Sequence, residues 1–304
     1  MNMHVTARSK EPVETRDHGL VAGDRRQVVS FIASIFDRPG RPSLAQYVPV
    51  ADDRTWCLRE GNGRIVAGML ARNWRMPSGI AGVNLGYVCV PESLRRRGLG
   101  GELVHAAVER EEHVGAAFIM MWARDYLVDF YRAMGFRDLG AETYCDLDVP
   151  ALASEPGILS APLATLPHTG FDSLRRDRPG TIFRTLDRGC WTGINRGFPW
   201  ASELLIVYAG RPNHASWYAV VAKATSAVTI VEYGGPDDRF ASVAGSVRAL
   251  FQGLPLRCNF TDPGFAAMAL PVRGAEAGAG YHRLLRSAAL VPEAAPVTSW
   301  LDRI

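Results

Sequence analysis

Lysine is almost missing from this chain: of 34 basic residues only Lys10 and Lys223 are lysine, and the others are arginine. Coding composition produces such a bias, so no partner is read from it. Excess charge is missing too. The formal net of +3 is too weak to argue for nucleic acid or an anionic membrane as partner. The five cysteines, Cys57, Cys89, Cys145, Cys190 and Cys258, include no Cys-x-x-Cys pair, which argues against a zinc or redox motif and leaves them as buried, reduced thiols of a cytosolic protein. The seven histidines have no metal-ligand spacing, so no metal is expected. No apolar stretch approaches the roughly 18 residues of a membrane helix. Arg8, Lys10, Glu11, Glu14, Arg16 and Asp17 near the start are followed by no apolar run, which argues against a secretory signal and for a cytoplasmic location. What is present is apolar material, 47% hydrophobic against 21% charged residues in a chain of 304, the composition of a folded protein long enough for about two domains.

One stretch organises the first half. Val83, Leu85, Tyr87, Val88, Cys89 and Val90 have strand composition, and Pro91 removes a ladder donor and ends the strand. Arg95, Arg96, Arg97, Gly98, Leu99, Gly100 and Gly101 follow, and a helix begins by Glu102. Glycines let the backbone approach an anion, the first helical N–H groups point at it, and arginines add charge, so a diphosphate is the natural occupant.

The spacing Arg95-x-x-Gly98-x-Gly100 after a strand ending Val-x-Val-Pro resembles the acyl-coenzyme A signature of the GNAT N-acetyltransferases. Phe130-Tyr131-Arg132-Ala133-Met134-Gly135-Phe136 is similar to a second segment of that family, in the right order and separation. The resemblance covers about residues 20–148. It implies an α/β GNAT fold with a mixed sheet, acetyl-CoA as the acyl donor, and backbone groups around Val88, Cys89 and Val90 holding the pantetheine. It also makes Tyr131 the acid that protonates the departing thiolate. Two departures stand out. The family often has Asn where this chain has Arg124, here assigned to the cofactor site, and often a Glu on the strand before the loop, where this chain offers only Asn84 and Tyr87. The general base therefore stays open among Asp125, Glu92, a backbone-held water and the terminal carboxylate of Ile304. The last is suggested by the enhanced intracellular survival proteins, tandem acetyltransferases whose chain terminus acts as base.

Along the chain, residues 1–20 read as a flexible arm and 21–148 as the acetyltransferase domain. Within it, a helix from Asp24 precedes a Pro-rich loop, Arg54–Glu60 and Arg64–Trp74 form a hairpin around Gly61-Asn62-Gly63, and Phe136–Leu147 closes the sheet. Pro150, Pro156, Pro162 and Pro167 mark 149–170 as a linker. Strand-like runs at Glu203–Ala209, Ser216–Lys223 and Val228–Tyr233, a helix at Phe240–Phe251 and a strand at Leu256–Phe260 repeat the order of the first domain. Residues 171–291 thus read as a degenerate second GNAT-like domain, with a small unrelated α+β domain as the rival. The loop after Tyr233 carries Asp237 and Asp238, which would repel a diphosphate, and Gly278-Ala279-Gly280 is too short a signal to use. Residues 292–304 form a tail that Trp300 and Leu301 can anchor.

The expected activity is direct transfer of an acetyl group to a primary amine of a small molecule: an antibiotic, a metabolite or an amino acid. An acyl-enzyme route through Cys89 is disfavoured by its place within a strand. Two alternatives are a non-catalytic acyl-CoA sensor and a protein lysine or N-terminal acetyltransferase. A homodimer is left open.

Overall fold

The computed structural model describes residues 20–22, 24–37, 54–76, 79–151, 157–165, 171, 173–174, 201–259 and 272–287. The first half contains strand β1 (Leu20–Ala22), helix α1 (Arg25–Phe36), strands β2 (Arg54–Arg59), β3 (Ile65–Arg75) and β4 (Ala81–Cys89), helix α2 (Leu99–His113), strand β5 (Phe118–Arg124), helix α3 (Val128–Arg132) and strand β6 (Arg137–Leu147). The second half contains β7 (Ile158–Pro162), β8 (Glu203–Ala209), β9 (Trp217–Lys223), β10 (Val228–Gly234), helix α4 (Phe240–Leu250), β11 (Leu256–Asn259) and β12 (Val272–Arg286). The expected arm before Leu20, the loop after Asp37, Cys190 and the tail with Ile304 lie outside the described residues.

Local chemistry explains most of these elements. Asp24 caps α1 by accepting from the Gln27 amide at 3.2 Å, and Val28, Val29, Ile32 and Ala33 give the helix one buried face. Helix α2 buries Leu103, Val104, Ala107 and Val108 against the sheet, where each large apolar side chain contributes about 1.5–3 kcal/mol. Its one fully buried charge, Glu111, accepts from the Arg54 guanidinium and from Trp56 Nε1 at 2.8 Å. Strand β5 is buried on both faces up to Ala123: Ile119, Met121 and Ala123 join the cluster under α2, and Phe118 and Met120 pack with Trp74, Met76 and Leu285.

The strands form one mixed sheet in the order β1-β2-β3-β4-β5-β12-β6-β11-β10-β9-β8-β7. Each half follows the same plan. An antiparallel meander leads to a strand with a register shift, and a helix crosses to a parallel neighbour: β4 beside β5 in the first half, β10 beside β11 in the second. The halves then exchange their last strands. β12 pairs with β5 through Tyr281↔Arg124 to Arg286↔Ile119, while β6 pairs with β11 through Arg257↔Asp146 to Asn259↔Tyr144.

This exchange changes two expectations. β6 does not close the first sheet directly, because β12 lies between it and β5. The run 149–170 is also more than a linker: β7 pairs along β8 from Ile158↔Ala209 to Pro162↔Leu205, and Leu163 is fully buried. β7 is the edge strand, the one place in a sheet where a proline such as Pro162 costs no needed donor.

Candidate active site

The site begins where two parallel strands part. β4 and β5 are paired from Gly82↔Phe118 to Leu85↔Met121. Beyond that point β4 continues only against β3, with Gly86 opposite Leu70 and Cys89 opposite Gly68, while β5 continues only against β12. A bulge on β4 marks the divergence: the register with β3 shifts there, and Tyr87 takes the left-handed φ of 55°. Gly86–Cys89 and Trp122–Arg124 thus line a wedge whose facing backbone edges have no strand between them among the described residues. An extended, amide-bearing chain fits such a gap by adding to both edges.

Above the wedge the chain turns into α2. Pro91 precedes a short 3-10 turn over Glu92–Leu94, Arg95 Nε donates to the Val90 carbonyl at 3.3 Å, and Arg96 has a φ of 64°. Gly98 then forms the helix N-cap with φ 83° and ψ −11°, a conformation glycine adopts without a Cβ penalty. No side chain caps this end, so the first-turn N–H groups of Leu99, Gly100 and Gly101 are left to an anion beside three exposed arginines. Leu99 is buried and anchors the turn. A Cβ on Gly100 would come within 3.7 Å of Val90, and one on Gly101 within 3.8 Å of Phe130.

On the same side of the sheet, α3 carries Tyr131, which shares one apolar cluster with Leu99 and with the half-buried Val88 and Val90. Phe130 and Phe136 pack edge-on against its ring, with centroids at 5.0 and 6.0 Å. Burial pushes its phenol up to about 12, with Tyr126 nearby adding to the shift. It is therefore a protonated phenol throughout the neutral range. Phe130 and Tyr126 flank it as large exposed aromatics.

The other sequence-chosen residues separate by face. Cys89 turns to the α1 side, where it joins Val28, Ile32 and Leu70 and its thiol donates to the Gly68 carbonyl at 3.4 Å. Burial pushes it up to about 12, which holds it as a thiol, not a nucleophilic thiolate. The Arg124 guanidinium lies 4.0 Å over the Tyr281 ring. Asp125 opens a 3-10 turn, exposed, with Oδ1 3.3 Å from His282 Nε2. Asn84, the polar residue of β4, is buried, and its Oδ1 has no partner among the described residues.

His282 and Arg286, both on β12, were not singled out by the sequence. His282 faces Asp138 Oδ2 through Nδ1 at 2.9 Å as well as Asp125, and Asp138 in turn accepts from Arg132 at 2.9 Å and from the Gly140 amide at 2.8 Å. Nothing local marks either residue, since strand pairing alone carries them to α3. No group of three His, Cys, Asp or Glu side chains suited to a metal ion occurs among the described residues.

Residues 15–146 match a family model described as an acetyltransferase (GNAT) domain. That region carries a GNAT-type domain. The chain is 32% identical over 82 residues to the uncharacterized N-acetyltransferase YjcF of Bacillus subtilis (strain 168), a match covering 27% of this chain and 57% of that protein. Solved GNAT structures share its fold. A GCN5-related N-acetyltransferase from Anabaena variabilis ATCC 29413 superposes with a TM-score of 0.65 at 12% identity, over 88% of this chain and 72% of that one. Eis1 from Mycobacterium abscessus gives 0.60 at 14% identity, over 88% and 73%. Coverage of that extent takes in both halves, so the GNAT-type fold is followed by a second GNAT-like one.

Proposed function

We propose that this chain is an acetyl-CoA-dependent N-acetyltransferase, moving the acetyl group directly from the thioester to a primary amine of a small molecule. One observation carries the reading: the β4–β5 wedge opens beneath a helix N-terminus that has three exposed arginines and no side-chain cap. In this arrangement the amides of Leu99, Gly100 and Gly101, with Arg95, Arg96 and Arg97, hold the diphosphate. The backbone of Val88, Cys89 and Val90 holds the pantetheine arm, and Arg124 borders the far side of the wedge. Acetyl-CoA supplies an activated acyl group, and the protein supplies position and protons.

Tyr131 is the proton source for the departing sulfur. Held above its ordinary value by burial, the phenol is fully protonated at neutral pH, so its proton is in place as negative charge develops on sulfur. Asp125 is the base candidate supported by position, being exposed just past the end of β5 with Oδ1 3.3 Å from His282 Nε2. In the step itself, the amine nitrogen forms its bond to the acetyl carbon as the carbon–sulfur bond breaks. One proton leaves nitrogen for the base and another passes from Tyr131 to sulfur.

Calorimetry tests the binding half. Gly100→Glu adds a side chain against Val90 and a negative charge to the anion site, and should abolish coenzyme A binding while the protein stays folded. Unchanged affinity overturns the assignment. An amine screen that follows free thiol then tests turnover, and absence of amine-dependent thiol release from protein that binds coenzyme A would make the chain an acyl-CoA sensor.

A further inference from the structure

Strand β12 arrives from the far half of the chain and lies against the elements around Tyr131, and its polar side chains meet that region at two separate points. The first is a closed circuit. His282 reaches Asp125 at 3.3 Å through Nε2 and Asp138 at 2.9 Å through Nδ1. Asp138 also holds Arg132 at 2.9 Å. Asp125 opens the 3-10 turn before α3, and Arg132 is the last residue of α3. Both ends of the eight-residue segment that carries Tyr131 are thus tied to the same His282–Asp138 pair. The second point is Arg286, which donates through Nη1 to the Met134 carbonyl just past the helix and through Nε to Glu112 on α2 at 2.8 Å. Gly135 makes room for it: a Cβ there would stand 3.0 Å from Arg286 Nη1.

A helix of five residues cannot hold its own place, since a single turn is marginal without outside contacts. Its apolar face supplies part of what it needs through Val128 and Tyr131. The remainder comes from polar groups whose directions are fixed by a strand paired on both edges. We infer that His282 and Arg286 are positioning residues, by which the second half of the chain sets the placement of Tyr131 over the wedge. The second half, which carries no Arg-x-x-Gly-x-Gly loop of its own, thereby acts on the chemistry of the first.

The inference rests on the acetyltransferase reading for its kinetic consequence, but its structural consequence can be read without turnover. In the full chain, His282→Leu keeps a comparable volume and removes both ring nitrogens, while His282→Gln keeps one donor. Hydrogen exchange read by mass spectrometry with coenzyme A bound should show faster exchange over residues 125–134 in His282→Leu, an intermediate rate in His282→Gln, and no change in β8–β10. If the wild type turns over, kcat should fall in the same order by about 10–10²-fold, the loss that follows small misplacement of a reacting group, with coenzyme A affinity unchanged. Arg286→Met should reproduce the pattern. Unchanged exchange over 125–134 in both His282→Leu and Arg286→Met overturns the inference even where the wild type is active. A loss of kcat that tracks only a lowered folded fraction overturns it as well, because positioning acts on molecules that remain folded. A wild type that shows no turnover leaves the exchange result to decide and counts against the acetyltransferase reading alone.

Discussion

Tyr131 and Cys89 have nearly the same raised pKa and opposite meanings. Both are pushed to about 12 by burial, but Tyr131 belongs to the cluster beside the wedge, and Cys89 turns to the α1 side and spends its hydrogen on Gly68. Tyr131→Phe keeps the ring and its contacts with Phe130 and Phe136, so coenzyme A affinity and stability should stay near wild type while kcat falls about 10²–10⁴-fold; stopped-flow thiol release measures it, and an equal kcat would return Tyr131 to the core. Cys89 should resist alkylation at pH 8 in folded protein and label only on unfolding, a mass-spectrometric readout that rapid native labelling would contradict. The pair also sets a pH dependence for stability. Each folded value lies above its ordinary one, 9.0 for the thiol and 10.0 for the phenol, so the unfolded chain loses these protons first. Stability is therefore full below about pH 9 and declines as pH rises toward 12. Chemical denaturation at stepped alkaline pH follows that decline, and Cys89→Ala should flatten its lower part. The sequence marked Tyr131 through its motif, yet the separation of the two groups by face followed only from alternation along β4 and the bulge at Tyr87.

At the level of elements, the turn after α3 is the most constrained. Gly135 has φ 85° and lies against the Arg286 guanidinium, so Gly135→Ala meets both a left-handed backbone and a close contact. It should cost about 1–2 kcal/mol and release Arg286 from Met134, measured by urea unfolding; a neutral substitution would mean the turn relaxes freely. Helix α2 offers a second case. Arg54→Met strands the buried Glu111 carboxylate with Trp56 as its remaining donor, a loss of about 3 kcal/mol by analogy with broken buried pairs, whereas Arg54→Lys should recover part of it. Elements such as these were legible in the sequence because their signals are local. Asp24 announces α1, Gly61-Asn62-Gly63 announces the β2–β3 hairpin, and the apolar run of β8 coincides with the strand from Glu203 to Ala209. β12 gave no such signal. Gly274, Ala275, Ala277, Gly278, Ala279 and Gly280 have poor strand propensity, and the segment is extended because β5 and β6 offer it two edges. With β12 unseen, His282 and Arg286 could not be placed.

The whole molecule is one sheet made from two similar halves, each completed by the other. A fragment ending at residue 148 would keep the wedge, α2 and Tyr131 but lose the strand between β5 and β6, leaving an edge of each open. Expressed alone it should aggregate or lack near-ultraviolet dichroism, and expressed together with 149–304 it should be recovered as a soluble pair by size exclusion; a well-folded monomeric fragment would show that β5 and β6 can pair without β12. The exchange also has a consequence in time. Arg124 and its partner Tyr281 leave the ribosome some 160 residues apart, or about 8–30 s at ~5–20 residues per second. Through that interval the nascent first half carries an unfilled slot in its sheet, which is filled only when the final strand of its neighbour emerges.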